Sequence, residues 1–202
     1  MLFRSGVSFG HGTTNAFDEA AWLALWKLGL PLDDLDGVAR RELTGAELDA
    51  IDTLVSERIA TRRPAAYLTR EAWLGPHRFY VDERVIIPRS YFLELIPDAL
   101  ADCLPPGRRV HRAADVCTGS GCLAILLAHG FPGARVDATD LCPRALEVAR
   151  INVRDHGLED RVSLVEADVL TGTPPAKYDL IISNPPYEPS AHVDTQSPEF
   201  AA

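Results

Sequence analysis

The amino-acid sequence predicts an α/β fold, in which a small helical region and a hairpin precede a doubly wound, mostly parallel sheet. After residue 108, strand-like apolar runs alternate with helical runs, as in parallel sheets covered by helices on both faces. Before residue 108, apolar residues recur mainly at helical spacing, and two strand-like runs surround a Gly-Pro turn. We therefore predict a helical domain (1–66), a hairpin with a connecting helix (67–107) and a sheet domain (108–202).

The composition narrows the classes of partner. The chain has 202 residues, 47% hydrophobic and 24% charged, which is ordinary for a globular protein. Its net charge of −9 disfavours indiscriminate nucleic-acid binding, because phosphates would repel it, and suits a basic protein or a cationic small molecule. The sequence contains no apolar run of membrane-spanning length and no signal-peptide pattern, so we expect a cytoplasmic location without membrane partners.

The cysteine pattern gives no indication of a metal site. No CxxC pair occurs, and no histidine lies at zinc-ligand spacing from a cysteine. We expect reduced and mostly buried thiols and no bound metal. The four cysteines are Cys103, Cys117, Cys122 and Cys142.

Two helices are predicted in the N-terminal segment. Asn15 can cap the first helix, which Gly29 and Pro31 end, while Thr44 and Glu47 form a capping-box pattern before the second. The apolar positions of the first helix are Phe17, Ala20, Ala21, Ala24, Leu25 and Leu28. Those of the second helix are Leu48, Ile51, Leu54, Val55 and Ile59. Three arginines near its C-terminal end are expected to cap the helix and to be solvated: Arg58, Arg62 and Arg63.

The middle of the chain predicts a hairpin and then a short helix. The run "EAWLGPHRFYVDERVIIP" contains two strand-like stretches around Gly75 and Pro76. Ser90 can cap the following apolar stretch, in which Pro97 predicts a kink. Beyond the boundary at "PPGRR", the predicted strands are 110–116, 135–139, 162–166 and 178–183, and the predicted helices are 122–129 and 143–156.

The stretch "ADVCTGSGCLAILLA" combines the first strand of the sheet, a tight turn and the next helix. Gly119, Gly121 and Ala124 fit the pattern G-x-G-x-x-A, and Asp140 follows 19 residues after Gly121, at the tip of the second strand. This arrangement is typical of nucleotide binding, because glycines let a ligand approach the backbone and the carboxylate accepts ribose hydroxyls. The alternative is an ordinary βα turn with a solvated aspartate.

The acids beside this turn favour a cationic nucleotide. Asp115, at the end of the first strand, would repel the pyrophosphate of NAD but attract the ammonium and sulfonium of S-adenosylmethionine. Asp168 follows the third strand, where it could reach an adenine amino group, although a turn or cap residue is an equal alternative. The G-x-x-x-x-G-K-[ST] pattern of a P-loop does not occur in the sequence.

The fourth predicted strand ends in Asn-Pro-Pro-Tyr. Pro185 favours an extended Asn184, so that the Asn184 amide oxygen and the Pro185 carbonyl can both accept hydrogen bonds from one NH2 group. Pro186 completes the motif, and Tyr187 can cover a planar substrate. The motif therefore predicts a site for a conjugated amine or amide nitrogen, although a rigid loop with an Asn turn is the alternative.

These motifs resemble class I S-adenosylmethionine-dependent methyltransferases that act on exocyclic or amide nitrogen. The run "PAAYLTREAWLGPHRFYVDERVIIPRS" is similar to protein N5-glutamine methyltransferases, which modify release factors or a large-subunit ribosomal protein. "FGHGTTNAFDEA", "DVCTGSGC" and Arg89-Ser90 resemble the ribosomal-protein branch. The resemblance implies a Rossmann-like fold and a basic ribosomal protein, not nucleic acid, as the substrate.

The resemblance also assigns roles to individual residues. It implies catalysis by Asn184, Pro185 and Tyr187, and substrate binding by the same residues together with Pro186. The implied ligands of S-adenosylmethionine are Asp115, Thr118, Gly119, Ser120, Gly121, Asp140, Asp168 and Asn184.

The chain departs from this family at its end, because the family's catalytic domain continues with further strands beyond Asn-Pro-Pro-Tyr. We therefore expect an incomplete sheet, in which strand 178–183 is an open edge that favours self-association and weak turnover. Three other functions stay open: release-factor methylation, methylation of a nucleic-acid amino group, and a homologue that binds without turnover.

Overall fold

The structure, a computed structural model, describes residues 1–10, 12–96, 98–105, 107–173 and 177–186. Two compact units contain them, residues 1–71 and the described part of residues 72–189. The helices of the first unit, after a short 3-10 turn at Leu2–Arg4, are α1 (Ala16–Lys27), α2 (Leu35–Val38), α3 (Gly45–Thr61) and α4 (Ala65–Thr69).

The second unit begins with the hairpin and continues into alternating strands and helices. Its elements are β1 (Ala72–Leu74), β2 (His77–Phe79), α5 (Phe92–Leu95), α6 (Asp98–Asp102), β3 (Arg112–Val116), α7 (Cys122–Gly130), β4 (Arg135–Asp140), α8 (Pro143–Asp155), β5 (Val162–Glu166) and β6 (Leu180–Ser183). The antiparallel pairing of β1 with β2 confirms the predicted hairpin. The predicted kink at Pro97 lies outside the described residues.

The predicted helix starts in the first unit are confirmed. The Asn15 side chain accepts hydrogen bonds from the backbone N–H groups of Phe17 and Asp18 at the start of α1. Thr44 and Glu47 form the reciprocal capping box of α3. These contacts satisfy backbone donors that have no partner inside the helix.

The predicted apolar faces of these helices are only partly correct. Phe17 is 58% exposed and Leu48 is 52% exposed, whereas Leu23 is fully buried. Both exposed residues lie in the first turn of their helices, although Ala16, the neighbour of Phe17, is buried in the core. Helical spacing shows which residues share a face, but not which of several overlapping faces the core covers. The buried apolar core of this unit is Leu2, Ala16, Leu23, Leu54, Val55 and Ala65.

The expectation that Arg58 is solvated is wrong. Its side chain is 1% exposed, and Nε donates to Oε1 of Glu19 at 2.9 Å. The Nη2 group donates to the carbonyl of Ser8 at 3.0 Å, and Glu19 also accepts a hydrogen bond from the Thr13 hydroxyl at 3.1 Å. Arg58 is therefore a buried link between α1 and α3, because Glu19 compensates its charge.

The main sheet of the second unit is parallel, as predicted, with the strand order β5-β4-β3-β6. Val116 pairs with Thr139 on one side and with Ser183 on the other, so the carboxyl ends of these strands share one edge. We call this the carboxyl edge. Strands β3 and β6 begin two residues later than predicted, since the Asp179 carboxylate accepts the backbone N–H groups of residues 111 and 112.

Helix α7 supplies much of the core of this unit, with Ile125 and Leu127 fully buried. All four cysteines are free, but the expectation of mostly buried thiols is wrong, because Cys103 and Cys142 are exposed. Cys103 follows the last residue of α6, and Cys142 is the N-cap residue of α8. No helix in the described part of the chain combines the length and apolar character needed to cross a bilayer.

Candidate functional site

The turn between β3 and α7, residues 117–121, lies on the carboxyl edge and is tied to β4. Thr118 N donates to the carbonyl of Thr139 at 2.9 Å, and Gly121 N donates to the carbonyl of Thr118 at 2.9 Å. The turn uses left-handed backbone at Cys117 (φ 62°), Gly119 (φ 54°) and Gly121 (φ 80°). Glycine adopts this region without the steric cost that a Cβ atom brings.

The two glycines of the turn serve different purposes. A Cβ on Gly121 would lie 3.1 Å from the Cβ of Ala149, so this glycine permits close packing of the turn against α8. A Cβ on Gly119 would meet no atom within 4 Å, so the space in front of its backbone is open. Gly119 is therefore the position at which a ligand can approach the main chain.

Asp115 lies fully buried beneath the turn. Its Oδ2 accepts hydrogen bonds from the Thr118 hydroxyl at 2.5 Å and from Ala124 N at 3.0 Å, which ties the turn to the start of α7. Its Oδ1 is buried without a hydrogen-bond partner among the described residues. Burial raises the pKa of this carboxyl to about 7, because the charged form is poorly solvated.

Asp140 lies at the tip of β4 and contacts the turn directly. Its Oδ2 accepts the backbone N–H of Gly119 at 2.8 Å, and its Oδ1 accepts that of Cys142 at 2.9 Å. A carboxylate oxygen has two lone pairs, so each keeps the capacity to accept a further hydrogen bond. Asp168 is exposed after β5, beside Ala167, whose N–H donates to the carbonyl of Asp140 at 3.0 Å.

The carboxyl edge is electrostatically negative. Burial raises the pKa of the half-buried Cys117 thiol, and the charges of Asp140, Asp115 and Asp168 raise it further, against a lowering by a hydrogen bond with Ser183. Hydrogen bonds bring the three predicted acids together, because Asp115 and Asp140 both accept from the turn, and Ala167, next to Asp168, donates to Asp140. An edge of this sign favours a cationic ligand.

Asn184 and the prolines follow β6 beside the glycine turn. The Ser183 hydroxyl donates to the carbonyl of Val116 at 2.8 Å, which fixes the end of β6 against the end of β3. Asn184 and Pro186 are exposed, and Pro185 is half-buried. Tyr187 lies outside the described residues. The predicted adjacency of the Asn-Pro-Pro segment and the turn is therefore confirmed by strand pairing.

Two predicted site residues face inward, and one supporting residue was missed. The Thr118 and Ser120 side chains are buried. Asn152 of α8 is 1% exposed and donates to the carbonyls of Ser120 at 2.8 Å and Tyr80 at 3.0 Å, so it holds the turn from behind. The sequence could have indicated this residue, because Asn152 is a polar residue three positions after Ala149, within the apolar stripe of α8.

Comparison with curated proteins finds relatives that are similar over nearly the whole chain. It is 50% identical over 196 residues, or 97% of its length, to the ribosomal protein uL3 glutamine methyltransferase of Neisseria meningitidis. It is 49% identical over 188 residues, or 90% of its length, to the protein of the same name from Burkholderia pseudomallei. The chain spans 64% and 61% of the lengths of these two relatives.

A solved structure and a family model also match. The human methyltransferase 10 domain containing protein is similar over 58% of this chain and 59% of that protein, with 21% identity and a TM-score of 0.42. The family model described as the methyltransferase small domain matches residues 97–199, just over half of the chain. The chain therefore belongs to the methyltransferase small domain family.

Proposed function

We propose that this chain binds S-adenosylmethionine and methylates the side-chain amide nitrogen of a glutamine in ribosomal protein uL3. The observation that carries this proposal is the identity of 50% over 97% of the chain to a protein named for that activity. The geometry of the carboxyl edge supports it, because the three acids, an open glycine turn and Asn184 meet there.

The described residues fit the cofactor. Asp140 would accept the ribose hydroxyls beside the open backbone of Gly119, and Asp168 would accept the adenine amino group. The buried Asp115 would attract the cationic methionine part through its field, which is strong where the dielectric is low. Thr118 and Ser120 would contribute through the backbone of the turn, since their side chains are buried. The cofactor supplies an electrophilic methyl group.

Asn184 and Pro185 would hold the substrate glutamine. The Asn184 amide oxygen and the Pro185 carbonyl would accept the two N–H groups of the glutamine amide and so orient its lone pair. Such alignment contributes several kcal/mol, on the order of 7–11 in favourable intramolecular reactions. Pro186 would stiffen the segment, and Tyr187 would cover the amide plane. The amide nitrogen becomes acidic once it is methylated, so this arrangement requires no strong base.

The proposed substrate also suits the charge of the chain. Ribosomal proteins are basic because they bind RNA, and the net charge of −9 favours association with a cationic partner. The helical N-terminal unit would recognise the protein substrate, while the carboxyl edge holds the reacting groups. A ribosomal protein substrate would place the reaction in the cytoplasm.

The test is methyl transfer from radiolabelled S-adenosylmethionine to purified uL3, followed by mass spectrometry of the labelled peptide. We expect one methyl group on a glutamine, and no label on ribosomal RNA or on a release factor offered separately. Asn184→Ala should lower transfer by about 100- to 1,000-fold, comparable to the loss of a transition-state hydrogen bond, with little change in cofactor affinity. Glu159→Gln, an exposed change, is the matched control. Near-normal transfer by Asn184→Ala, or label on RNA, would contradict the proposal.

A further inference from the structure

Three histidines converge in the second unit, away from the carboxyl edge. His77 lies in β2, His129 lies in the last turn of α7, and His156 caps the C-terminus of α8. One ring nitrogen of each lies within 4.8 Å of the corresponding nitrogens of the other two. We call these residues the histidine cluster. They are far apart in sequence, and only the packing of the hairpin against two helix ends brings them together.

The orientation of His156 is fixed by the backbone. Its Nε2 lies 2.9 Å from the carbonyl oxygen of Arg78. Because a carbonyl only accepts hydrogen bonds, Nε2 is the donor, and in the neutral tautomer of this ring Nδ1 carries the lone pair. A backbone carbonyl commonly fixes a metal-binding imidazole in this way.

The His156 Nδ1 atom lies 3.3 Å from Nε2 of His129, in a hydrogen bond that His129 donates when His156 Nδ1 carries the lone pair, so a bound cation would replace this proton. Two nitrogens about 2.0–2.1 Å from one tetrahedral zinc ion lie about 3.3–3.4 Å apart, so this pair already has the spacing of two zinc ligands. The His77 ring stacks on His129, with 4.8 Å between ring centroids and 10° between ring planes. A metal ion lies near the plane of each ligating imidazole, so the half-buried His77 ring must turn out of this stack to share an ion with His129.

The helix ends around the histidine cluster favour a bound cation. His129 and His156 lie at helix C-termini, where the dipole attracts positive charge. Arg161 opposes a cation at His129, but its guanidinium is engaged with the carbonyls of residues 128, 131 and 134.

A cavity of about 370 Å³ borders two of the three histidines of the cluster. His77 and His129 form part of its wall, and the remaining lining residues are Pro76, Leu93, Ile96, Leu126 and Gly130. A space of this size admits a hydrated ion and leaves room for a water molecule as a fourth ligand.

We propose that His77, His129 and His156 bind one divalent transition-metal cation of the zinc type. Imidazole nitrogens suit zinc, copper and nickel, whereas magnesium and calcium prefer oxygen ligands. The ion ties β2 to the ends of α7 and α8. His129 is eight residues from Gly121, about 12 Å along α7, so the ion stabilises the fold and does not take part in chemistry at the carboxyl edge.

The test is calorimetric titration of zinc chloride into the full chain after treatment with a chelator. Cys103→Ser and Cys142→Ser are introduced throughout, because both thiols are exposed. We expect one ion per chain. The single changes His77→Gln, His129→Gln and His156→Gln should each weaken zinc binding by at least about 100-fold, because loss of even a residue that hydrogen-bonds to a ligand lowers metal affinity about 10- to 100-fold. His111→Gln, at an exposed histidine outside the cluster, should leave zinc affinity unchanged.

Cobalt(II) provides an independent readout of the ligands. The cobalt-loaded chain should show the visible bands of a tetrahedral nitrogen site, without the near-ultraviolet charge transfer of a thiolate ligand. Zinc should raise the melting temperature of the chain and of His111→Gln, but not that of the three cluster variants. Absence of stoichiometric binding, or equal affinity in the cluster variants and His111→Gln, would overturn the inference. Circular dichroism of the metal-free variants separates lost ligands from lost folding.

Discussion

Glu19 in the helical unit and Asp115 in the sheet unit are both buried acids, with side chains in very different surroundings. Glu19 is 3% exposed, and its carboxylate accepts one hydrogen bond from the guanidinium of Arg58 and one from the Thr13 hydroxyl. Asp115 is 0% exposed and accepts only from a hydroxyl and a backbone N–H among the described residues, with Oδ1 left without a partner.

This difference is the one expected between an acid that serves the fold and the acid that we propose serves a ligand. A buried carboxylate next to a guanidinium is compensated within the fold and links two helices. A buried carboxylate without a cation destabilises the folded state, and such groups concentrate at sites where a ligand or a reaction uses them. Asp115 lies beneath the turn that leaves open space at Gly119, so a cationic ligand can supply the missing compensation.

The largest expected effect on stability comes from removing the cation that compensates Glu19, so that Glu19, like Asp115, is a buried acid without a cation. Arg58→Met leaves the Glu19 charge buried and alone, and should lower the free energy of unfolding by about 3–5 kcal/mol. Arg40→Met, at an exposed position of the same unit, should change it by less than about 0.5 kcal/mol. Urea denaturation measures both. The double change Glu19→Leu with Arg58→Met should cost less than Arg58→Met alone, and a larger cost would contradict the ion-pair account.

The next effect is the pH dependence that Asp115 imposes. The pKa of Asp115 is about 7 in the folded chain, and in the unfolded chain we take its ordinary value of 3.8. Between these two pH values the unfolded chain has released a proton that the folded chain retains. Protonation of Asp115 therefore leaves the free energy of unfolding at its highest below about pH 4. This free energy falls as the pH rises and levels off above about pH 7, with a total loss of about 4 kcal/mol.

Asp115→Asn should remove this loss, since the amide oxygen can accept the same two hydrogen bonds without a charge. Urea denaturation from pH 4 to pH 8 should show the variant gaining stability relative to the parent chain as the pH rises. Subtracting the two profiles cancels the contribution of the histidines. Parallel profiles would mean that Asp115 is already compensated.

The smallest effects distinguish the two glycines above Asp115. Gly121→Ala should lower the free energy of unfolding by about 2 kcal/mol or more, because left-handed backbone costs about 1–2 kcal/mol and the new Cβ contacts Ala149 at 3.1 Å. Gly119→Ala should lower the free energy of unfolding only by the cost of left-handed backbone, yet its methyl group should weaken S-adenosylmethionine binding by filling the open space. Thermal unfolding and cofactor titration of both variants check this, and equal losses of stability would contradict the assigned difference.

The sequence predicts the parallel sheet, the helix caps and the glycine turn because each depends on neighbouring residues or on a regular spacing. The link between Glu19 and Arg58 was not predictable, since they are 39 residues apart and nothing in either helix identifies its partner. The histidine cluster was missed for the same reason, as three elements contribute one residue each. Local patterns specify elements, whereas burial of charge depends on which elements meet.

Titration of S-adenosylmethionine by calorimetry, into the parent chain and Asp115→Asn, tests the central claim most directly. We expect one cofactor per parent chain and binding weakened by about 1–3 kcal/mol in the variant, the scale of a lost interaction with a charged group. Glu159→Gln, an exposed acid outside the carboxyl edge, should bind like the parent chain. Equal affinity of Asp115→Asn and the parent chain, with both correctly folded by circular dichroism, would contradict the claim that the uncompensated acid serves a cationic ligand.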